Sequence, residues 1–259
     1  MTKKTNKHEP TFFDVEQGTD EWFGIKAGIP SSSNFKKIVG AKSKVERKNL
    51  LYRLVAEQLT GKYLEDSYSN AHMERGHEME PRARALHSLE LGQDIRTVGF
   101  VIAGEFEPPY ECLSGKIGAS TDGLIGDDGV LEVKTTNSAN QMRIIHSGKI
   151  PVGFRWQILG EMLVTGRKFC DFVSFDPDLE DVGMDYWHKR VKAEDDWELN
   201  GKVVPATDVW KELMNALADF VEEMKQTKKE IASPDALGDD LRRSLESYGV
   251  TVDVNDLPF

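Results

Sequence analysis

The sequence predicts a mixed α/β fold in which helices flank a central β-sheet. Three observations predict it. Several segments repeat apolar residues at helical spacing. Short, β-prone apolar runs stand between those segments instead of forming a block of their own. Residues 118–136, GASTDGLIGDDGVLEVKTT, read as two strands joined by a Gly/Asp turn.

The first helix is expected over 16–28, with Thr19 as N-cap, acids behind it and Gly28 as its stop. Trp22 and Ile25 share its inward face. Pro30 and three serines open a second short helix carrying Phe35, Ile38 and Val39. Its serine-rich start offers hydroxyls and free N–H groups that suit a phosphate, or simply caps the helix. Residues 45–59 are amphipathic through Leu50, Leu51, Leu54, Val55 and Leu59, and Gly61 ends them. Residues 70–91 form a further helix, with a kink or a start near Pro81.

Strands follow at 94–103, 116–125 and 130–135, then helices at 138–147 and 151–165, then strands at 170–175 and 184–191. An acidic amphipathic helix covers 208–228 and a shorter one 237–247. The expected organisation is a flexible basic arm over 1–15, a core over 16–200, and an acidic helical extension over 201–259. That extension packs on the core or at subunit contacts.

Composition narrows the function classes. Of 259 residues, 39% are hydrophobic and 30% charged, as in a globular domain with its own core. No apolar run approaches the ~20 residues of a membrane span, and the polar start lacks a signal-peptide core. A cytoplasmic protein is expected, with no membrane partner. Two cysteines, Cys112 and Cys170, exclude a disulfide framework, a four-cysteine zinc site and an iron–sulfur cluster. No Gly-rich phosphate loop and no nucleophile elbow occurs.

The net charge of −11 argues against nucleic acid until its distribution is read. Residues 1–175 carry 23 acidic and 23 basic side chains, and residues 176–259 carry 21 and 10. Residues 26–53 hold eight bases and a single acid, Glu46. This is either a local basic surface or a solvated helix face.

The chemistry concentrates in 118–136. In a strand, Glu132 and Lys134 share one face and Val133 points to the other. The turn brings Asp122 back beside them. Two carboxylates suit a hard divalent cation, and a lysine beside them suits a nucleophilic water or a developing charge. The same pattern also suits a solvated strand face with alternating Glu and Lys.

Several blocks together carry a resemblance. Asp122, Glu132 and Lys134 in D-x9-E-x-K spacing resemble the PD-(D/E)xK nuclease core. QGTDEWFGIKAGIPSSS over 17–33 resembles the opening of the phage lambda exonuclease family, the YqaJ-like viral recombinase nucleases. RGHEME over 75–80 resembles that family's RG-x-x-x-E helix motif. Phe154-Arg155-Trp156-Gln157 resembles its glutamine-bearing helix, and Phe175-Asp176-Pro177 the strand end that follows.

The resemblance implies a restriction-endonuclease-like core and a metal-dependent alkaline exonuclease. Such an enzyme degrades one strand of linear double-stranded DNA from its 5′ end and leaves a 3′ tail for phage-type recombination. Carried over, Asp122, Glu132 and the Val133 carbonyl bind Mg2+ (or Mn2+). Lys134 activates water, Glu80 reaches in from its helix, and Gln157 holds the water or Lys134. Ser31, Ser33 and Ser120 match hydroxyls of a 5′-phosphate pocket. Lys26 stands where the family has arginine and loses the two-pronged guanidinium. A homotrimeric ring, with the basic stretch along the DNA path, and a single-strand annealing protein as partner are implied as well. Two alternatives stay open: another PD-(D/E)xK nuclease, of restriction or RecB-like type, and a non-catalytic DNA-binding protein of this fold.

Overall fold

The computed structural model describes residues 9–40, 44–64, 71–199 and 201–232, without the side chains of 71–74 and 77. In chain order the elements are β1 (Thr11–Phe13), α1 (Asp20–Lys26), α2 (Phe35–Ile38), α3 (Lys44–Thr60) and α4 (Ala71–Leu91). Then come β2 (Ile95–Arg96), β3 (Phe100–Ile102), β4 (Gly118–Ala119), β5 (Gly123–Ile125) and β6 (Gly129–Thr135). α5 (Ser138–Ser147), α6 (Arg155–Thr165), β7 (Phe169–Phe175) and β8 (Tyr186–Lys192) follow. The hairpin β9 (Trp197–Leu199) and β10 (Lys202–Val204) leads into α7 (Ala206–Ile231).

The central sheet has the order β2-β5-β6-β7-β8, with β6 and β7 parallel and the other pairs antiparallel. It is the mixed sheet the sequence predicts. β1, β3 and β4 form a second, antiparallel sheet. Alternation along β6 sends Leu131 and Val133 into a core beneath α4, with Val173, Phe175 and Ala83. Val130 and, from β7, Cys170 and Phe172 face the larger core, which α3, α6 and α7 close.

Local chemistry accounts for the helix ends. The Thr19 hydroxyl accepts from the Trp22 N–H at 3.3 Å, and Asn137 accepts from the Asn140 N–H at 3.0 Å. The left-handed glycines Gly148 and Gly166 close α5 and α6. The stripe Val209, Leu213, Leu217, Phe220 and Met224 seats α7 in the main core.

Several expectations change. The strand expected over 94–103 is two short strands in different sheets, broken around Gly99, and that over 116–125 breaks in the same way at Ser120–Asp122. The chain crosses between sheets at both breaks. Within the expected flexible arm over 1–15, Thr11–Phe13 is a strand paired with β3, and residues 1–8 lie outside the described residues. α4 continues through Pro81 instead of starting there. The expected boundary at 200 falls within the β9–β10 hairpin, which the sequence reading missed. The expected helix over 237–247 lies outside the described residues. Among the described residues no helix is long and apolar enough to cross a membrane.

Candidate active site

The site begins at the second crossing between sheets. Ser120, Thr121 and Asp122 leave β4 and enter β5, and the Asp122 N–H bonds the Leu131 carbonyl at 3.1 Å. The antiparallel β5–β6 register then turns the Asp122 side chain toward β6. Its Oδ2 accepts the Val133 N–H at 2.6 Å. The hairpin expected from sequence thus brings Asp122 to Glu132 and Lys134.

Glu132 is fully buried (0% exposed), and its carboxylate is ion-paired to the Lys134 ammonium. Apart from that ion pair, neither Glu132 oxygen as a carboxylate accepts a hydrogen bond. α6 supplies the next groups. Gln157 donates through Nε2 to Glu161 Oε1 at 3.1 Å. Glu161, also 0% exposed, stands beside Glu132. Its Oε2 accepts no hydrogen bond. Glu161 was missed in the sequence, although its i,i+4 spacing from Gln157 places both on one helix face.

α4 contributes Glu80 and Arg84. Arg84 Nη1 donates to Glu80 Oε1 at 2.8 Å and to the Asp122 carbonyl, tying the helix to the crossing segment. Arg84 too was missed. Lower on α4, Arg75 bonds Asp176 Oδ1 and Asp178 Oδ2 at 2.8 Å each. The RG-x-x-x-E block and the Phe-Asp-Pro block are therefore held together by an ion pair.

The electrostatics follow from this crowding. Burial, then the charges of Glu132 and Glu80, push the Asp122 carboxyl well above the usual range, against Lys134 and the Val133 N–H. Burial, then Glu132, raises Glu161 in the same way. Burial alone would lower Lys134, but Glu132 and Asp122 outweigh it and hold the ammonium charged. One buried cation thus faces several carboxylates, an imbalance that another cation would relieve.

Oxygen donors only, on buried carboxylates poor in hydrogen bonds, suit Mg2+ or Mn2+. Among the described residues no group of three or more His, Cys, Asp or Glu side chains is arranged to hold a metal ion. The expected set, two carboxylates and the Val133 carbonyl, does not require one.

A cavity of about 1710 Å3 opens beside these residues. It exceeds the ~300–1,000 Å3 of a small-molecule site. Glu80, Arg84, Ser120, Thr121 and Lys134 line it, while Asp122 and Glu132 do not. Trp22, Lys26, Ser33, Arg53 and Tyr63 line it as well. The hydroxyls of Ser120 and Thr121 are buried and without hydrogen-bond partners. Ser33 lines the cavity, but Ser31 does not. Ser31 is 1% exposed and sits behind, its hydroxyl 3.3 Å from that of Ser33. Gly160 lets α6 press on this serine turn, since a Cβ there would lie 2.4 Å from the Phe35 ring. Of the expected basic path, Lys37 lines the cavity, Lys36 is exposed, and Lys42 lies outside the described residues.

Comparisons with known proteins bear on the family and the fold. A profile of the YqaJ-like viral recombinase domain matches residues 21–168. The chain is similar to the crystal structure of an alkaline exonuclease, LHK-Exo, from Laribacter hongkongensis. Identity is 29% and the TM-score 0.66, over 89% of this chain and 100% of that one. It is also similar to the structure of LHK-Exo in complex with dAMP, at 32% identity and a TM-score of 0.63, covering 83% of this chain and 98% of that one. The curated proteins yield no match.

Proposed function

We propose that this chain, which belongs to the YqaJ-like viral recombinase family, is a metal-dependent exonuclease acting on linear double-stranded DNA. It removes nucleotides from the 5′ end of one strand and leaves a 3′ single-stranded tail for recombination. The observation that carries this reading is the convergence of Asp122, Glu132 and Lys134 with Glu80 and the Gln157–Glu161 pair beside a cavity of about 1710 Å3.

Asp122, Glu132 and the Val133 carbonyl would hold Mg2+ or Mn2+, which supplies an acidified water and neutralises charge on the scissile phosphate. Lys134, tied to Glu132, would orient the attacking water. Gln157 fixes the Glu161 carboxylate, and Arg84 fixes Glu80 and the Asp122 carbonyl. Lys26, Ser33 and Ser120 receive the 5′-terminal phosphate, with Ser31 supporting Ser33 through its hydroxyl. A ring-shaped homotrimer around the DNA and a single-strand annealing protein as partner complete the proposal.

The test is digestion of linear duplex DNA labelled at either end, with Mg2+ and with EDTA. Release of the 5′ label first, survival of closed circles, and loss of activity in Lys134→Ala are expected. Release of the 3′ label first, or cutting of closed circles, would overturn it.

A further inference from the structure

We propose that His87 is a positioning residue for the reaction: pinned to β7 and β8, it seats α4 so that Glu80 is held at the site. The inference rests on the exonuclease reading above and gives a role to a polar cluster beneath α4 that touches none of the reacting groups.

Glu80, Arg84 and His87 follow one another at helical spacing along a single face of α4. Arg84 binds Glu80 and the Asp122 carbonyl. One turn further on, the His87 ring is fully buried and both of its nitrogens are engaged. Nε2 lies 3.0 Å from Asp171 Oδ2, and Nδ1 lies 2.6 Å from the Tyr186 hydroxyl. Asp171 stands on β7 opposite Leu131, the neighbour of Glu132 on β6. His87 therefore ties the helix that carries Glu80 to the strand beside the one that carries Glu132 and Lys134.

The partners assign the protons in this cluster. Arg190 donates to both Asp171 oxygens, from Nε at 2.7 Å and from Nη2 at 2.8 Å. Burial would raise the Asp171 carboxyl, but the bonds from Arg190 and His87 outweigh it and hold it below its ordinary range. Asp171 is thus a carboxylate that only accepts, so His87 Nε2 donates. Burial, then the charges of Glu90 and Asp171, raises the Tyr186 phenol. The phenol keeps its proton and donates it to Nδ1 of the neutral ring. His188 Nδ1, 3.1 Å from the same hydroxyl, donates in turn to the Tyr186 oxygen. The chain of bonds is complete from exposed His188 to buried Asp171.

The helix needs this anchor. Pro81, next to Glu80, has no N–H to give to the preceding turn, so the helix's own ladder is weakened there. The apolar contacts of α4, with Ala83 among Leu131, Val133, Val173 and Phe175, hold it on the sheet but are non-directional. The directional bonds of Arg84 and His87 set its slide and rotation, and with them the position of the Glu80 carboxylate. A displacement of about 1 Å in such a group can cost roughly hundredfold in rate.

The experiment is a double-mutant cycle read by steady-state cleavage of linear duplex DNA with Mg2+. His87→Phe keeps a planar ring and leaves Asp171 paired with Arg190, so no buried charge is stranded. It is expected to lower kcat roughly ten- to hundredfold with KM for DNA unchanged. His87→Gln, which again offers an N–H to Asp171 and a carbonyl to Tyr186, should restore most of the rate, and Tyr186→Phe should lose part of it. In a Glu80→Ala background, His87→Phe should lower kcat no further. NMR of the imidazole nitrogens in the metal-free protein should find the His87 proton on Nε2. Thermal melting checks the fold, and if His87→Phe does not fold, Tyr186→Phe is carried through the same cycle. A folded His87→Phe with wild-type kcat, a change confined to KM, or no rescue by His87→Gln overturns the proposal. So does a full further loss beside Glu80→Ala, a Glu80→Ala protein as fast as the wild type, or a proton on Nδ1 alone. Release of the 3′ label first by the wild type counts against the exonuclease polarity alone and leaves the cycle readable.

Discussion

The Val133 N–H donates to Asp122 Oδ2 at 2.6 Å, across the turn that separates the two residues in sequence. The contact holds a buried carboxylate in place while leaving its second oxygen to other ligands. It also offsets little of the repulsion from Glu132 and Glu80.

Asp122→Asn should therefore trade function for stability. Nuclease activity should fall by roughly 10²-fold or more. The metal-free protein should melt a few degrees higher, on the order of 1 kcal/mol, because a like charge is removed. Mg2+ should raise the melting temperature of the wild type and not of the variant. Equal metal-induced shifts would mean that Asp122 is not a ligand.

Glu161→Gln tests the buried carboxylate on α6. It keeps the shape and hydrogen-bonding capacity but removes one of the charges crowding Glu132. The expected result is a raised melting temperature in EDTA and a several-fold weaker midpoint for Mn2+-induced stabilisation. A weaker Mn2+ midpoint without the stability gain would show that Glu161 is not under charge strain.

The Lys26 ammonium is expected to impose a pH dependence on end binding. In the free protein it titrates near 8, lowered by burial and then by Arg53, and only its charged form attracts the phosphate. Preference for a 5′-phosphate should be full below about pH 8 and fall as pH rises through it. The phosphate itself stays dianionic over that range. Lys26→Arg should flatten the profile. Anisotropy measured at intervals of about one pH unit checks both expectations.

Gly28→Ala probes the scaffold of the pocket. Gly28 has φ +71°, and a Cβ there would stand 2.4 Å from Gln58 Cγ. Backbone strain and clash should cost about 1–3 kcal/mol, read as a lower urea midpoint at unchanged slope. The bond that Glu57 Oε2 accepts from the Gly28 N–H at 2.7 Å should loosen with it, so selectivity for 5′-phosphate ends should fall too.

Much of this was legible in the sequence for a physical reason. The helices α3 and α7 announce themselves because each buries one stripe, and periodicity records burial; α6, buried on most of its surface, was legible from its apolar run instead. Asp122, Glu132 and Lys134 were legible because a tight turn and strand alternation fix their geometry locally. The split strands were not. At Gly99 and at Ser120–Asp122 the chain changes hydrogen-bonding partners, and partners distant in sequence leave no local pattern. β1 was hidden likewise, since Thr11–Phe13 pairs with residues about ninety positions away. Arg53 and Arg84 looked like solvated helix charges. Only the packing of α3 on α1, and of α4 on the crossing segment, turns them inward.

The break between β4 and β5 has one further consequence. Ser120, at the terminal-phosphate end, and Asp122, at the cutting end, are two residues apart on a segment clamped by a sheet at either side. Extended chain sets a ceiling of about 7 Å on that separation. On the proposed function, this short segment serves as a covalent gauge. The step length along the DNA strand is set by peptide geometry, and an insertion between Ser120 and Asp122 would lengthen the stride before it altered the chemistry.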